Sequence, residues 1–154
     1  MRSTASRPPT GGSRPRRIGR DLIDEIIAHS REAYPVKGAE PREECCGLIG
    51  GRDGEMTSIH RARNAAESWL RFEVHPTDQL RIMEQLEADG EELAAIYHSH
   101  TESAAEPSQT DINLARPWPG VLWLICSLED HDEPVVRGFW ISDGKVEEED
   151  LDVV

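Results

Sequence analysis

The chain has 154 residues, enough for one domain that buries its own core without disulfides or an obligate partner. Charged residues make up 31% of it and the formal net charge is -13, so a nucleic-acid partner, whose phosphates such a surface repels, is not expected. The longest apolar runs are only a few residues, too short to cross a bilayer, so no membrane association is expected either.

In chain order, residues 1–19 read as a disordered basic tail. They carry Arg2, Arg7, Arg14, Arg16 and Arg17 without a single acid, and Pro8-Pro9 and Gly11-Gly12 punctuate them. The segment lacks the apolar stretch of a secretory signal, although its arginine, serine and proline richness also fits an organelle transit peptide. Residues 20–154 read as a single domain. Leu22, Ile23, Ile26, Ile27 and Ala33 share one face of a helix over 20–34, with Asp21 in its first turn and Pro35 just beyond. Cys45–Ile49 reads as a buried strand stopped by Gly50-Gly51. Met56–Arg63 is a second strand after the Asp53-Gly54 turn, and Leu70–Val74 alternates well enough for a third. Residues 76–88 suit a helix begun by Pro76 or Thr77 and ended by Gly90. Leu93–Tyr97 is a buried strand running straight into His98, and Ser108–Leu114 starts a short helix with Ser108 as N-cap. Val121–Ser127, Val135–Ser142 and Val146–Val153 complete a sheet, turning at Asp130-His131-Asp132 and Asp143-Gly144. The pattern predicts an α+β domain, an α-β-α sandwich around a mixed sheet.

Cys45, Cys46 and Cys126 are an odd set with two neighbours in sequence, a poor disulfide framework. Reduced thiols packed in the interior, in a cytoplasmic protein, are the simplest reading. His60 and His75 are isolated and assigned to surface or packing, with His75-Pro76 a possible wall of a cleft. Trp69, Trp118, Trp123 and Trp140 are assigned to core or rim, Trp118 being the one that closely follows the segment discussed next.

The chemistry concentrates in Tyr97-His98-Ser99-His100 and Pro107-Ser108-Gln109-Thr110-Asp111. Side chains alternate along a strand, so two histidines one residue apart at a strand end point the same way and can reach one cation. Asp111, eleven residues beyond His100 in a first helical turn, can swing back to the same point. Two imidazole nitrogens and one carboxylate oxygen suit zinc, and three protein ligands leave the fourth tetrahedral position open, the layout of a catalytic site. Ser99, between the two, points away and is structural. Upstream, Glu43 and Glu44 precede the first strand, and at least one is a solvated acid.

His98-x-His100, seven residues, Ser108, two residues, Asp111 resembles the JAMM signature of the MPN+ metalloproteases. Pro41-Arg42-Glu43-Glu44-Cys45-Cys46-Gly47-Leu48-Ile49-Gly50 is similar to the glutamate-bearing first strand of that family, whose catalytic glutamate lies three residues before the glycine. The resemblance covers about residues 21–150. It implies an MPN (cytidine-deaminase-like) fold with a mixed, curved sheet, one Zn2+ at His98, His100 and Asp111, and hydrolysis of amide or isopeptide bonds. It implies Glu44 as general base and Ser108 as hydrogen-bond donor to the oxyanion. The short chain leaves no room for the insertions of eukaryotic relatives and looks more like the bacterial stand-alone type, in particular the peptidases that release cysteine from a sulfur-carrier adduct. The implied partner is a ubiquitin-like sulfur-carrier protein ending in Gly-Gly. A non-catalytic MPN scaffold is the alternative, made weaker by the complete set of ligands.

Overall fold

A computed structural model describes residues 16–154; residues 1–15, most of the expected tail, lie outside the described part. The elements are β1 (Arg17–Ile18), α1 (Arg20–Ala33), β2 (Cys46–Arg52), β3 (Glu55–Ala62), α2 (Pro76–Ala88), β4 (Glu92–His100), α3 (Gln109–Leu114), β5 (Leu122–Ser127), β6 (Val135–Ser142), β7 (Lys145–Glu149) and β8 (Asp152–Val153).

The strands form one sheet in the order β7-β6-β5-β4-β2-β3-β1-β8. β4 and β5 are parallel, as are β1 with β3 and β1 with β8, while the remaining pairs are antiparallel. The expected mixed sheet is therefore present. The strands at its two ends, β7 and β8, are separated in sequence only by residues 150–151, so the sheet curls round on itself.

Alternation along the strands divides the core in two. Leu22, Ile23 and Ile26 of α1 pack on Ile49, Ala95, Tyr97, Leu124 and Cys126 of one face. Ile82 and Leu86 of α2 pack on Leu48, Ile96, Trp123 and Ile125 of the other, joined by Ile112 and Leu114 of α3. This gives the α-β-α sandwich. Burying each such aliphatic side chain contributes about 1.5–3 kcal/mol relative to leaving it exposed, and the layers are held mainly by that sum.

Three sequence expectations change. Leu70–Val74 is not a strand: the segment between Ala62 and Pro76 is a loop whose one bridge joins Asn64 to Val74. Its backbone groups are met partly by the bonds from Ala65 to Glu73 and from His75 to Arg63 around that bridge, and partly by a side chain described below. Residues 16–19 are not tail, because Arg17–Ile18 pairs with both Glu55–Met56 and Asp152–Val153, and Ile18 is fully buried. The last expected strand is two short ones, β7 on β6 and β8 on β1, since residues 150–151 carry the chain from one end of the sheet to the other.

Cys45, Cys46 and Cys126 are free and buried, as expected. Burial pushes the thiols of Cys45 and Cys126 up to about 12 and about 11, which makes them packing groups rather than nucleophiles. His75 caps α2, its Nδ1 accepting from the Thr77 amide at 3.2 Å. Among the described residues no helix is long and apolar enough to cross a membrane.

Candidate metal centre

β4 ends at His98-Ser99-His100, and its parallel neighbour β5 can be reached only by a crossover connection. That crossover carries α3 and returns Asp111 to the carboxyl end of β4. His98 and His100 project toward the α2 and α3 face, while Ser99 turns to the opposite side, where its Oγ accepts from the Cys45 amide at 2.9 Å. The expected structural role of Ser99 is thus realised.

His98, His100 and Asp111 are all buried and converge. His98 Nε2 lies 3.3 Å from His100 Nε2 and 3.2 Å from Asp111 Oδ1, and His100 Nε2 lies 3.1 Å from Asp111 Oδ2. Donors about 2.0–2.1 Å from one tetrahedral ion stand at about these mutual separations, so the trio fits a small divalent cation. Nδ1 of His100 is 2.8 Å from the Ala104 carbonyl, which can only accept. That contact fixes the proton on Nδ1 and leaves the Nε2 lone pair facing the centre, the outer support that metal-binding imidazoles need. The ring of Phe72 stacks on His98 at 4.2 Å and 20°, and Trp123 meets it edge-on, so the imidazole is held on both sides.

Electrostatics agree with a cation site. Burial works against the Asp111 carboxylate, but the imidazoles of His98 and His100 hold its carboxyl well below the usual range. Burial lowers the pKa of His98, with Asp111 opposing. Burial also works against charge on His100, but its hydrogen bonds with Asp111 and Ala104 raise its pKa.

The β2–β4 register pairs Cys46 with His98, and Glu44, two residues before Cys46, lies close enough to His100 and Asp111 for their charges to act on it. Glu44 is buried, with Oε1 lacking a hydrogen-bond partner among the described residues. Burial pushes its carboxyl up to about 8; His100 opposes that rise and Asp111 adds to it. Glu43 points elsewhere, half-buried, its pKa raised by burial and by Glu67. The structure therefore brings Glu44, and not Glu43, to the trio.

Ser108 is the N-cap of α3, its Oγ accepting from the Asp111 amide at 3.1 Å while the Ser108 amide donates to Asp111 Oδ2 at 2.9 Å.

The model of the prokaryotic homologs of the JAB domain matches residues 19–142 of this chain. The chain belongs to this JAB family. The resemblance to JAMM metalloproteases seen in the sequence is thus met. A desampylase of Haloferax volcanii is 38% identical to this JAB domain over 112 residues, covering 71% of this chain and 78% of the relative. A CysO-cysteine peptidase of Mycobacterium tuberculosis is 32% identical over 139 residues, covering 89% and 90%. A solution structure of a Desulfitobacterium hafniense protein superposes with a TM-score of 0.77 at 29% identity over 90% of this chain and 92% of its own. A JAB1/MPN domain protein of Archaeoglobus fulgidus shares the fold, with a TM-score of 0.56 at 21% identity over 90% and 96%.

Two neighbours of the JAB site escape the sequence reading. Phe72 falls in Leu70–Val74, which the sequence suggests as a strand, and Asn64 sits near the start of the surrounding loop without a motif to mark it. Trp123, assigned to core or rim with the other tryptophans, is buried, and its contact with His98 depends on the parallel β4–β5 register.

Proposed function

We propose that this JAB domain is a zinc-dependent peptidase or isopeptidase that cuts after the C-terminal Gly-Gly of a ubiquitin-like or sulfur-carrier protein, for example releasing cysteine. The observation that carries the reading is the buried His98, His100 and Asp111 trio with the Glu44 carboxyl beside it. Relatives named as a CysO-cysteine peptidase and as desampylases support a hydrolase of peptide or isopeptide bonds with a ubiquitin-like partner.

His98, His100 and Asp111 would hold the zinc. When bound, zinc supplies Lewis acidity that polarises a carbonyl and acidifies water. Glu44 takes the proton from the attacking water at its carboxylate and passes it to the leaving nitrogen, which departs as an amine. Burial raises the Glu44 carboxyl, which favours the donating half of that transfer, and the charge of a bound cation would oppose the rise and favour the carboxylate that accepts. Ser108 uses its Oγ lone pair on the Asp111 amide and keeps its O–H to donate to the oxyanion.

An apolar groove of about 380 Å³ begins at Phe72 and Trp123, the rings that flank His98, and runs past Val74, Leu80, Met83 and Ile96. It suits an extended chain with apolar side chains upstream of a diglycine, and glycine alone brings a backbone close to the centre without side-chain clash.

The test uses the zinc-loaded protein on three substrates: a ubiquitin-like carrier ending in Gly-Gly-Cys, the same carrier ending in Ala-Ala-Cys, and an isopeptide-linked pair. Release of cysteine from the first and not from the second is expected. Equal turnover of the alanine version defeats the diglycine argument, and turnover of the isopeptide pair alone makes the protein a deconjugating enzyme. No turnover of any overturns the reading.

A further inference from the structure

The loop between β3 and α2 forms one wall of the centre, yet it has almost no strand pairing to hold it. Two backbone bonds, from the Ala65 amide to Glu73 at 2.7 Å and from the His75 amide to Arg63 at 2.9 Å, close its base, and one side chain gathers its interior. Asn64 is buried, 4% exposed, and its amide nitrogen lies 3.0 Å from the Glu44 carbonyl, 3.1 Å from that of Arg71 and 3.4 Å from that of Ser68. Its carbonyl oxygen accepts from the amides of Ala66 at 2.9 Å and Glu73 at 3.0 Å. An asparagine side chain has two N–H groups and one oxygen with two lone pairs, so every group it owns is in use.

These contacts tie together two things that the proposed chemistry needs in fixed relation. One end is the backbone of Glu44, held a second time by its amide donating to the Ser68 carbonyl at 2.9 Å. The other is Phe72, whose neighbours Arg71 and Glu73 both bond to Asn64 and whose ring stacks on His98. The same loop reaches the far side of the ligand pair through Thr101, whose hydroxyl donates to the Trp69 carbonyl at 2.9 Å.

We infer that Asn64 is a positioning residue for the hydrolysis: it sets where the Glu44 carboxylate stands relative to the His98, His100 and Asp111 trio. The inference rests on the reading of Glu44 as general base. It touches neither substrate nor metal; its loss leaves His98, His100 and Asp111 in place, lets the Glu44 backbone shift and loosens Phe72 at the mouth of the groove. A misplacement on the order of 1 Å in a proton-transfer group costs about a hundredfold in rate.

Two variants separate this from a purely structural role. Asn64→Ala removes all five contacts. Asn64→Asp keeps the volume and the acceptors for Ala66 and Glu73; buried against the carbonyls of Glu44, Ser68 and Arg71, its carboxyl either takes up a proton, leaving one donor for three carbonyls, or repels them, and either way the Glu44 carbonyl loses its fixed partner. Each zinc-loaded variant is assayed well below its own melting temperature, on whichever carrier substrate the wild type cleaves, with rates normalised to bound zinc. For Asn64→Asp, kcat per zinc should fall about tenfold to a hundredfold with zinc stoichiometry close to wild type, beside any smaller change in KM from the groove wall. A purely structural asparagine lowers the melting temperature and leaves kcat per zinc unchanged, and that result overturns the inference, as does a loss confined to KM or to zinc. Glu44→Gln is run beside them. If it retains activity, the reading of Glu44 fails; if it is inactive while Asn64→Asp is unchanged, only the role of Asn64 fails.

Discussion

Ser108 and Asp111 cap one another. The serine oxygen takes the aspartate amide at 3.1 Å, and the aspartate Oδ2 takes the serine amide at 2.9 Å while standing 3.1 Å from His100 Nε2. A helix-capping box and one arm of the His98, His100 and Asp111 trio are thus the same carboxylate, and the cap orients it.

Ser108→Ala should therefore act on stability and rate together. Loss of the cap costs about 1 kcal/mol, which in a domain of this size lowers the melting temperature by roughly 2–4 °C. Loss of the hydroxyl donor should lower kcat by about 10²–10³. Zinc content should stay near one per chain, because all three ligands remain. Thermal scans, metal analysis and steady-state kinetics on one preparation check all three, and an unchanged rate reduces Ser108 to a cap.

Zinc should stabilise the fold. An ion that binds only the native state adds about 4 kcal/mol at a thousandfold excess over its Kd. The melting temperature should rise on adding zinc and fall again with a chelator. His98→Ala and Asp111→Ala leave two ligands and should show no such rise. A zinc-dependent shift that survives in both variants would place the ion elsewhere.

Gly47 has no room for a side chain. A Cβ there would stand 2.3 Å from Cε2 of the buried Tyr97 ring, whose hydroxyl meets His29 Nδ1 at 2.7 Å. Gly47→Ala should destabilise by about 1–3 kcal/mol through overpacking, read in urea unfolding as a lower midpoint with an unchanged slope. This close approach of β2 to β4 explains physically why a glycine follows three residues after Glu44.

Asp78 anchors the start of α2 to β3. Its carboxylate takes Arg63 Nε and Nη2, each at 3.0 Å, and the Arg63 amide at 2.8 Å. The Arg63 guanidinium holds the Asp78 carboxyl well below the usual carboxylate range. A depressed folded pKa gives stability that is complete above the unfolded value, about 3.9, and is lost as pH falls through the folded one. Asp78→Asn should therefore be less stable than wild type at neutral pH, and the gap should close in strong acid. A gap that stays constant across the range contradicts this.

How much of this was legible in the chain follows from what is local. The helices α1 and α2 and the strands through Ile49, Tyr97 and Ile125 are written as periodic apolar runs. His98, His100, Ser108 and Asp111 are brought together by one strand end and one short crossover, so their spacing reveals them. The loop over 63–75 was not legible, because its shape is set by Asn64 bonding to the carbonyl of Glu44, twenty residues away in sequence. Arg17–Ile18 was missed for the same reason, since it is a strand only through partners near residues 55 and 152.

The central claim is that Glu44 moves the proton at a zinc held by His98, His100 and Asp111. The most direct measurement is hydrolysis of a ubiquitin-like carrier ending in Gly-Gly-Cys by zinc-loaded wild type, Glu44→Gln and Glu43→Gln, with metal content determined on the same samples. Each should hold one zinc, with cysteine released by wild type and Glu43→Gln and none by Glu44→Gln. A zinc-loaded Glu44→Gln that turns over like wild type would contradict it, as would an inactive Glu43→Gln beside an active Glu44→Gln.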